Sequence, residues 1–201
     1  MNSDDVLPFE FYNRNVTIVA KALLGKIFVR KTMHGTLSGK IVEVEAYNSK
    51  DDKASHSYNG ITNRNQVMFG NAGNLYVYFT YGMHYCANIV TGKDNFGAAV
   101  LIRALEPIEG ILIMSINRFG KETTSDKELI NLCNGPAKIC QAFKIIRENN
   151  GANLSSGEFY IINSSNVPKS KIISTTRIGI KKSIDLPWRY YIKDNLYVSK
   201  K

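Results

Sequence analysis

Two carboxylates that lie two residues apart are the first candidates for chemistry in this sequence. Glu43 and Glu45 stand in a stretch rich in β-forming residues, so both side chains project from one face of a strand, together with Ile41 and Tyr47. From this pattern a solvated face is the more common outcome, because a buried charge is costly. The alternative is a carboxylate at a pocket wall, where it could act as a general base. The opposite face carries apolar residues that suit a core: Val42, Val44 and Ala46.

A run of aromatic residues at 74–81 predicts another strand. Alternation places Tyr76, Tyr78 and Thr80 on one face, which would be a broad polar and aromatic surface. Aromatic residues on strands usually belong to the core or to cross-strand pairs. Tyr81 falls at the turn of a predicted hairpin, where a core residue is not expected. On a basic protein, an aromatic ring at a hairpin tip could insert between the base steps of DNA.

The histidines and cysteines show no metal-binding pattern. His34, His56 and His84 are far apart in the chain and have none of the spacings of a zinc site. His56 lies in a loop, where a histidine is most often simply exposed. Cys133 and Cys140 fit a pair in the core beside a helix better than a metal site. The sequence therefore predicts no structural metal and no cofactor.

An α+β fold must position these residues, in a single domain that spans residues 1–201. A turn at His34-Gly35 separates two strands, and a proline in the first turn predicts helices that begin at Pro107 and Pro136. The prediction is a mixed or antiparallel, curved β-sheet with surrounding helices and a protruding β-hairpin. The predicted helices are 15–25, 107–119, 126–132 and 136–147, and the predicted strands are 26–32, 38–47, 74–81, 85–90, 97–105 and short segments from Phe159 onward.

Length and composition favour one globular domain. The chain has 201 residues, of which 44% are hydrophobic, and at this size about 70% of the unfolded surface is buried on folding. No apolar run is long enough to cross a membrane, and the acidic N-terminus does not resemble a secretory signal. Three cysteines are too few for a disulfide framework. Reduced thiols in the cytoplasm are therefore expected.

The chain is basic, and the excess is uneven. Its 26 Lys and Arg residues against 17 Asp and Glu residues give a net charge of +9. Residues 151–201 hold nine basic side chains and three acidic ones. Such an excess favours a polyanionic partner, chiefly nucleic acid. The alternative is a lysine-rich composition bias, which the many Asn and Ile residues would also fit.

Several segments of the chain form a recognisable set when they are taken in order. They are Ile41–Tyr47, His56-Ser57, Thr62–Asn65, Met68-Phe69, Leu75–Met83, Asn88-Ile89, Val100–Pro107, Asn134–Ala142, Arg177–Gly179 and Pro187–Tyr191. Each segment alone is a weak signal, whereas the ordered set is specific and extends from about residue 8 to 199. The set resembles the alkyladenine (3-methyladenine) DNA glycosylase family, of the type without a helix-hairpin-helix. The resemblance implies a compact, bacterial-like member, and it favours a pocket wall over a solvated face for Glu45.

The resemblance implies that Glu45 is the general base. It would activate a water molecule that attacks C1′ of a nucleotide flipped out of the duplex. Arg103 would help to hold this water, and the backbone carbonyl of Ile178 would be a further ligand for it. The N-glycosidic bond would break through an oxocarbenium-like transition state, as in sugar glycosidases with paired carboxylates, but here with one carboxylate.

A base pocket with aromatic walls is also implied by the resemblance, formed by Tyr47, His56 and Tyr78. A cationic, electron-poor purine gains cation–π attraction between such rings, whereas a neutral purine gains less. Asn88 would clash with the 2-amino group of guanine and so exclude a normal base. Tyr81 would intercalate into the gap that the flipped nucleotide leaves.

The implied function is that of a monofunctional DNA-3-methyladenine glycosylase in base-excision repair. Its substrates would be alkylated or deaminated purines in double-stranded DNA: 3-methyladenine, 7-methylguanine, hypoxanthine and ethenoadenine. No lysine is implied as a Schiff-base nucleophile, so no lyase step is expected. A monomer in the cytoplasm, associated with the nucleoid and not with a membrane, suits this function. The alternatives are a catalytically silent nucleic-acid-binding module of the same fold and an enzyme that acts on free nucleosides or RNA.

Overall fold

A curled antiparallel sheet with helices around it forms the protein, in a computed structural model that describes residues 5–80, 82–122, 125–155 and 157–200. The predicted α+β class is confirmed. Within the described residues there are five α-helices and eight strands. The helices are α1 (Phe9–Tyr12), α2 (Val16–Leu23), α3 (Ile111–Phe119), α4 (Asp126–Asn131) and α5 (Pro136–Ala142). The strands are β1 (Ile27–Thr32), β2 (Gly35–Tyr47), β3 (Leu75–Thr80), β4 (His84–Thr91), β5 (Ala98–Glu109), β6 (Phe159–Ile162), β7 (Ile172–Thr175) and β8 (Arg189–Ile192).

The long strand β2 has neighbours on both edges. The strand order is β3-β4-β5-β2-β1-β6, and every pairing is antiparallel. β5 pairs along one edge of β2, while β1 pairs with the first half of the other edge. β8 then pairs with β2 from Glu43 to Glu45 on that second edge. The second half of β2 is therefore an interior strand of the sheet, with a neighbour on each edge.

The main core lies on one face of the sheet, beneath α2, α3 and α5. α2 begins after Asn15, whose side-chain oxygen accepts a hydrogen bond from the N–H of Thr17 at 2.9 Å, as an N-cap residue does. The apolar stripe of this helix is buried against β2 and β5. The chain leaves the helix through Gly25, which has φ +85°, as expected for the residue after a helix C-cap.

A register irregularity in β2 changes which side chains face the core. The pairing of β2 with β5 is irregular between Ile41 and Val44, as in a β-bulge. Ile41 joins Val44 and Ala46 in the main core, whereas strict alternation predicted it beside the carboxylates. That prediction is wrong because one extra residue in a strand exchanges its two faces. Beyond the irregularity the alternation resumes, and Glu45 faces away from Ala46.

Two predicted helix boundaries are also wrong. β5 continues through Pro107, and α3 begins only after Gly110, which has φ +77°. At Pro107 the strand pairs with β2 alone, because β4 pairs with β5 only near its start, so the missing N–H is tolerated. α5 ends at Ala142 rather than at 147, and Lys144 then has φ +50°, which no helix can continue through.

β3 and β4 form the predicted aromatic hairpin. Tyr76 lies opposite Asn88, and Tyr78 lies opposite Cys86. These four side chains therefore share one face of the hairpin, because directly opposed residues in an antiparallel pair point the same way. Tyr81, for which intercalation was predicted, lies outside the residues that the structure describes.

Gly97 holds the loop of residues 48–72 against the sheet. Its carbonyl accepts a hydrogen bond from the hydroxyl of Ser57 at 2.6 Å. It has φ +66°, and a Cβ atom here would lie 2.5 Å from the ring of Phe69. The Gly97→Ala change should lower the free energy of unfolding by about 2–4 kcal/mol, because backbone strain and overpacking add. Urea unfolding measures this loss.

Gly60→Ala is the matched control. Gly60 has φ +90°, but nothing lies within 4 Å of a Cβ atom at this position. Only the backbone strain should then remain, about 1 kcal/mol. Equal losses in the two variants would contradict the role given to the contact between position 97 and Phe69.

Candidate active site

A cavity of about 470 Å³ opens on the face of the sheet opposite the main core. The adjacent strands β3, β4, β5 and β2 each contribute alternate side chains to it, and loop residues 53–56 and 178–182 lie at its sides. The cavity is therefore a product of strand alternation over four neighbours. Its strand residues are Tyr76, Tyr78, Thr80, Cys86, Asn88, Leu101, Arg103, Glu45 and Tyr47.

Glu45 lines this cavity and is nonetheless 0% exposed. Its Oε2 accepts hydrogen bonds from the hydroxyl of Tyr47 at 2.7 Å and from Nη1 of Arg103 at 3.3 Å. Its Oε1 accepts a hydrogen bond from the backbone N–H of Ile178 at 2.7 Å. These three donors fix the carboxylate and offset the cost of its burial. A carboxylate in this arrangement is suited to take a proton from a bound water molecule.

Arg103 joins Glu45 to a second buried carboxylate. Nε of Arg103 donates to Oε1 of Glu43 at 3.2 Å. Glu43 also accepts hydrogen bonds from Nη1 of Arg189 at 2.8 Å and from the N–H of Ser199 at 2.7 Å. Two carboxylates thus face two guanidinium groups, so the buried charges balance. The solvated strand face, the more common outcome for this sequence pattern, is not what the structure has.

A buried ion pair supports the ring of Tyr47. The guanidinium carbon of Arg177 lies 4.5 Å from the centroid of this ring. Nη1 and Nη2 of Arg177 donate to the two carboxylate oxygens of Asp52 at 2.5 and 2.7 Å. Burial, with the Glu45 carboxylate close by, raises the pKa of Tyr47 well above its usual value. Tyr47 therefore remains a hydrogen-bond donor to Glu45 at neutral pH.

Three rings form an aromatic wall. The ring centroid of His56 lies 4.5 Å from that of Tyr78 in an edge-on contact, and Tyr76 lies 5.4 Å from Tyr78. Burial, with the Arg64 guanidinium nearby, lowers the pKa of His56 below its usual value, so this ring is neutral at pH 7. Burial also raises the pKa of Tyr76 to about 12 and raises that of Tyr78. Both hydroxyl groups therefore keep their protons.

β4 adds Asn88 and Cys86 to the cavity. Nδ2 of Asn88 donates to the backbone carbonyl of Tyr76 at 3.0 Å, which fixes the orientation of the amide. Burial raises the pKa of the Cys86 thiol, so this group is a neutral thiol at pH 7. Both side chains are thus rigid, uncharged parts of the wall.

The predicted site residues that the structure describes all line this cavity. Ile178 reaches Glu45 through its backbone N–H, whereas the prediction concerned its carbonyl group. The predicted intercalating residue, Tyr81, falls outside the described ranges. The residues that line the cavity together are Glu45, Arg103, Tyr47, His56, Tyr78, Asn88 and Ile178.

Several residues around the site had no predicted role. Arg177 and Arg189 stand in segments that carry the family resemblance, so an arginine among apolar neighbours was an available signal. Asp52 lies in a polar loop, where nothing distinguishes it from a solvated carboxylate. The same holds for the three lysines that line the cavity: Lys53, Lys181 and Lys182.

Over the described part of the chain, no group of three or more His, Cys, Asp or Glu side chains could hold a metal ion. The three cysteines are free and buried, and Cys133 and Cys140 both belong to the main core. None of the helices among the described residues is long and apolar enough to span a membrane.

Comparison with known proteins decides the family. A family model described as methylpurine-DNA glycosylase matches residues 10–196. The chain belongs to the methylpurine-DNA glycosylase family. As a member of that family it is a DNA glycosylase, an N-glycosyl hydrolase with a role in DNA repair, and DNA is its substrate. The resemblance inferred from the ordered segments is thereby confirmed.

Relatives of this methylpurine-DNA glycosylase match it over nearly the whole length. A protein of Carboxydothermus hydrogenoformans is 51% identical over 197 residues, which cover 98% of this chain and all of that protein. A protein of Francisella tularensis is 50% identical over 185 residues, covering 90% and 92% of the two chains. One of Alkaliphilus oremlandii is 48% identical over 198 residues, covering 96% and 98%. Each is named "Putative 3-methyladenine DNA glycosylase".

Proposed function

We propose that this glycosylase flips alkylated or deaminated purines out of double-stranded DNA and releases them with a water molecule that Glu45 activates. The proposed substrates are 3-methyladenine and, beside it, 7-methylguanine, hypoxanthine and ethenoadenine. The observation that carries the proposal is a fully buried carboxylate that lines a cavity with aromatic walls. The cavity volume of about 470 Å³ is of the size that holds small ligands, roughly 300–1,000 Å³.

Glu45 keeps an acceptor position for the attacking water. A carboxylate offers about four such positions. Among the described residues, Tyr47 and Arg103 donate to Oε2, and the N–H of Ile178 donates to Oε1. The remaining position, on Oε1, would accept a hydrogen bond from the water. Arg103 and the carbonyl of Ile178 would hold the same water from its other sides.

The proposed step balances without a cofactor. The water oxygen forms a bond to C1′, and the bond from C1′ to the purine nitrogen breaks. The electron pair of that bond goes to the base, while the proton of the water goes to Glu45. A 3-methylated adenine carries positive charge and leaves as a neutral base. Hypoxanthine is neutral, so it needs a proton or a hydrogen bond before it leaves and should be released more slowly.

Base selection would rest on charge and on shape. A cationic purine between the rings of Tyr47, His56 and Tyr78 gains cation–π attraction that a neutral purine lacks. The lowered pKa of His56 supports this role, because a neutral imidazole does not repel a cationic base. Asn88 would disfavour guanine through a clash with its 2-amino group. 7-Methylguanine carries the same group and should therefore be a poorer substrate than 3-methyladenine.

Binding to duplex DNA would use the basic surface and the hairpin tip. The net charge of +9 favours contact with phosphates, and Lys181 and Lys182 at the cavity are placed to contribute. Tyr81 would fill the gap left by the flipped nucleotide, which recovers part of the unstacking cost. The enzyme would act as a monomer on chromosomal DNA, in the cytoplasm at the nucleoid.

Base release from defined substrates tests this function. The enzyme should release free 3-methyladenine from methylated duplex DNA and, more slowly, hypoxanthine from a duplex that contains it, as measured by chromatography. The strand should break only after alkaline treatment, because no lysine Schiff base takes part. At limiting enzyme, the rate should fall steeply with salt, because phosphate contacts release counterions.

The same assay distinguishes this function from two alternatives. Binding to duplex DNA without release of any base would indicate a silent nucleic-acid-binding module. Faster release from free nucleosides or RNA than from duplex DNA would indicate an enzyme of those substrates. A silent binding module would not need the buried pair of Glu45 and Arg103. An enzyme that acts on free nucleosides or RNA would not need an intercalating Tyr81.

A further inference from the structure

Glu43 is a buried carboxylate that the proposed reaction does not use. It is 0% exposed, and it does not line the cavity that Glu45 and Arg103 line. A buried ionic group is a weak source of stability, because desolvation offsets much of its attraction to a partner. The role of Glu43 therefore lies in how it positions the charged groups next to it.

The neighbour that connects Glu43 to the reaction is Arg103. The guanidinium group is a rigid, planar fork, and it divides its donors between two carboxylates. Nε donates to Glu43 at 3.2 Å, and Nη1 donates to Glu45 at 3.3 Å. Anchoring Nε on Glu43 fixes the plane of the fork and hence the direction of Nη1.

Glu43 is itself held from the other side. Nη1 of Arg189 donates to Oε1 of Glu43 at 2.8 Å and to the carbonyl of Lys200 at 2.8 Å. The N–H of Ser199 donates to Oε2 of Glu43 at 2.7 Å. We call the backbone groups of Ser199 and Lys200 the C-terminal clamp. Together with β8, the clamp closes the charge network on the side away from the cavity.

We propose that Glu43, held by Arg189 and the C-terminal clamp, is a positioning residue that aims the Arg103 guanidinium at Glu45 and shares its charge. The proposal rests on the base role proposed for Glu45. Division of Arg103 between two carboxylates keeps Nη1 aimed at Glu45 and balances the charge of both.

Single-turnover base release by the Glu43→Gln enzyme tests the proposal. With enzyme in saturating excess over a lesion-containing duplex, the rate constant at pH 7 should fall about tenfold. The affinity for the damaged duplex should stay unchanged, because Glu43 does not line the cavity. Glu106→Gln, which removes a carboxylate paired with Lys40, is the control and should keep the wild-type rate.

A shortened chain tests the C-terminal clamp while Glu43 and Arg189 stay in place. Deletion of residues 199–201 removes the N–H donor of Glu43 and the carbonyl acceptor of Arg189. The single-turnover rate should then fall about threefold, the value of one ordinary hydrogen bond. The double variant K200A/K201A loses the same two lysine charges but keeps the backbone groups, so it should retain the wild-type rate.

Melting temperatures separate a positioning role from a structural one. All variants are assayed well below the melting temperature that circular dichroism gives for each. A Glu43→Gln enzyme with a lower melting temperature, but with the wild-type rate, would overturn the positioning role. Full rate in the shortened chain would overturn the role of the clamp. Failure of the proposed function would appear elsewhere, as no base release by the wild-type enzyme or undiminished release by Glu45→Gln.

Discussion

The Glu45→Gln enzyme should bind damaged duplex DNA and release almost no base. Glutamine keeps the size and shape of the side chain but cannot take a proton from water. The single-turnover rate constant for release of 3-methyladenine should therefore fall by about 10²–10⁴-fold, the usual contribution of a general base. The affinity for the damaged duplex should remain close to that of the wild type, because the aromatic wall and the basic surface are unchanged.

The contacts of Glu45 show why this variant should still fold. The amide oxygen of glutamine can accept the hydrogen bond from the N–H of Ile178, and the hydroxyl of Tyr47 can accept as well as donate. Arg103 loses one charged partner but keeps Glu43. A far-ultraviolet circular dichroism spectrum equal to that of the wild type would confirm the fold. Wild-type excision by a folded Glu45→Gln enzyme would refute Glu45 as the base.

Asp52→Asn should cause the largest loss of stability among the single changes considered for this protein. The side chains of Asp52 and Arg177 are both 0% exposed and form a two-pronged ion pair. Neutralising Asp52 leaves a buried guanidinium without its counter-charge, which typically costs about 3–5 kcal/mol. Chemical unfolding measures this loss. Base release should fall too, because Arg177 lies against the ring of Tyr47 and directly precedes Ile178.

A surface pair and a double variant provide the controls for Asp52. Glu158→Gln makes the same chemical change in a pair with Arg30, where the side chain of Glu158 is 41% exposed, and should cost at most about 1 kcal/mol. Replacing both members of the buried pair, in D52N/R177M, should cost less than the sum of the single changes, because no unpaired charge remains. A loss below about 1 kcal/mol in Asp52→Asn would contradict this account.

Local structure and family followed from residues that are close together in the chain. The stripe of α2 and the alternation of Tyr76, Tyr78 and Thr80 depend on neighbours within one element, so spacing alone predicts them. The ordered segments from Ile41 to Tyr191 predicted the family, which the comparisons confirm. Pro107 misled the prediction because a proline suits both the first turn of a helix and a strand position where its missing N–H is not needed. Which of the two occurs depends on the strand beside it.

The surroundings of Glu43 and Glu45 needed the tertiary structure. Alternation tells which residues share a face of a strand, but not what covers that face. The partners of the two carboxylates include Arg189 in β8 and the N–H of Ile178, which lie far along the chain. A solvated face was therefore the more common expectation, although both carboxylates turn out to be buried.

The sequence by itself determined the types of the reacting groups, the local elements that carry them and the family to which they belong. Only the tertiary structure decided how those groups are held. The N–H of Ile178 reaches Glu45 across 133 residues, Arg177 reaches Asp52 across 125 and Arg189 reaches Glu43 across 146. Such contacts depend on which strands and loops pack side by side. Local propensity contains no information on that packing, because it reports only the preferences of residues within a few positions of one another.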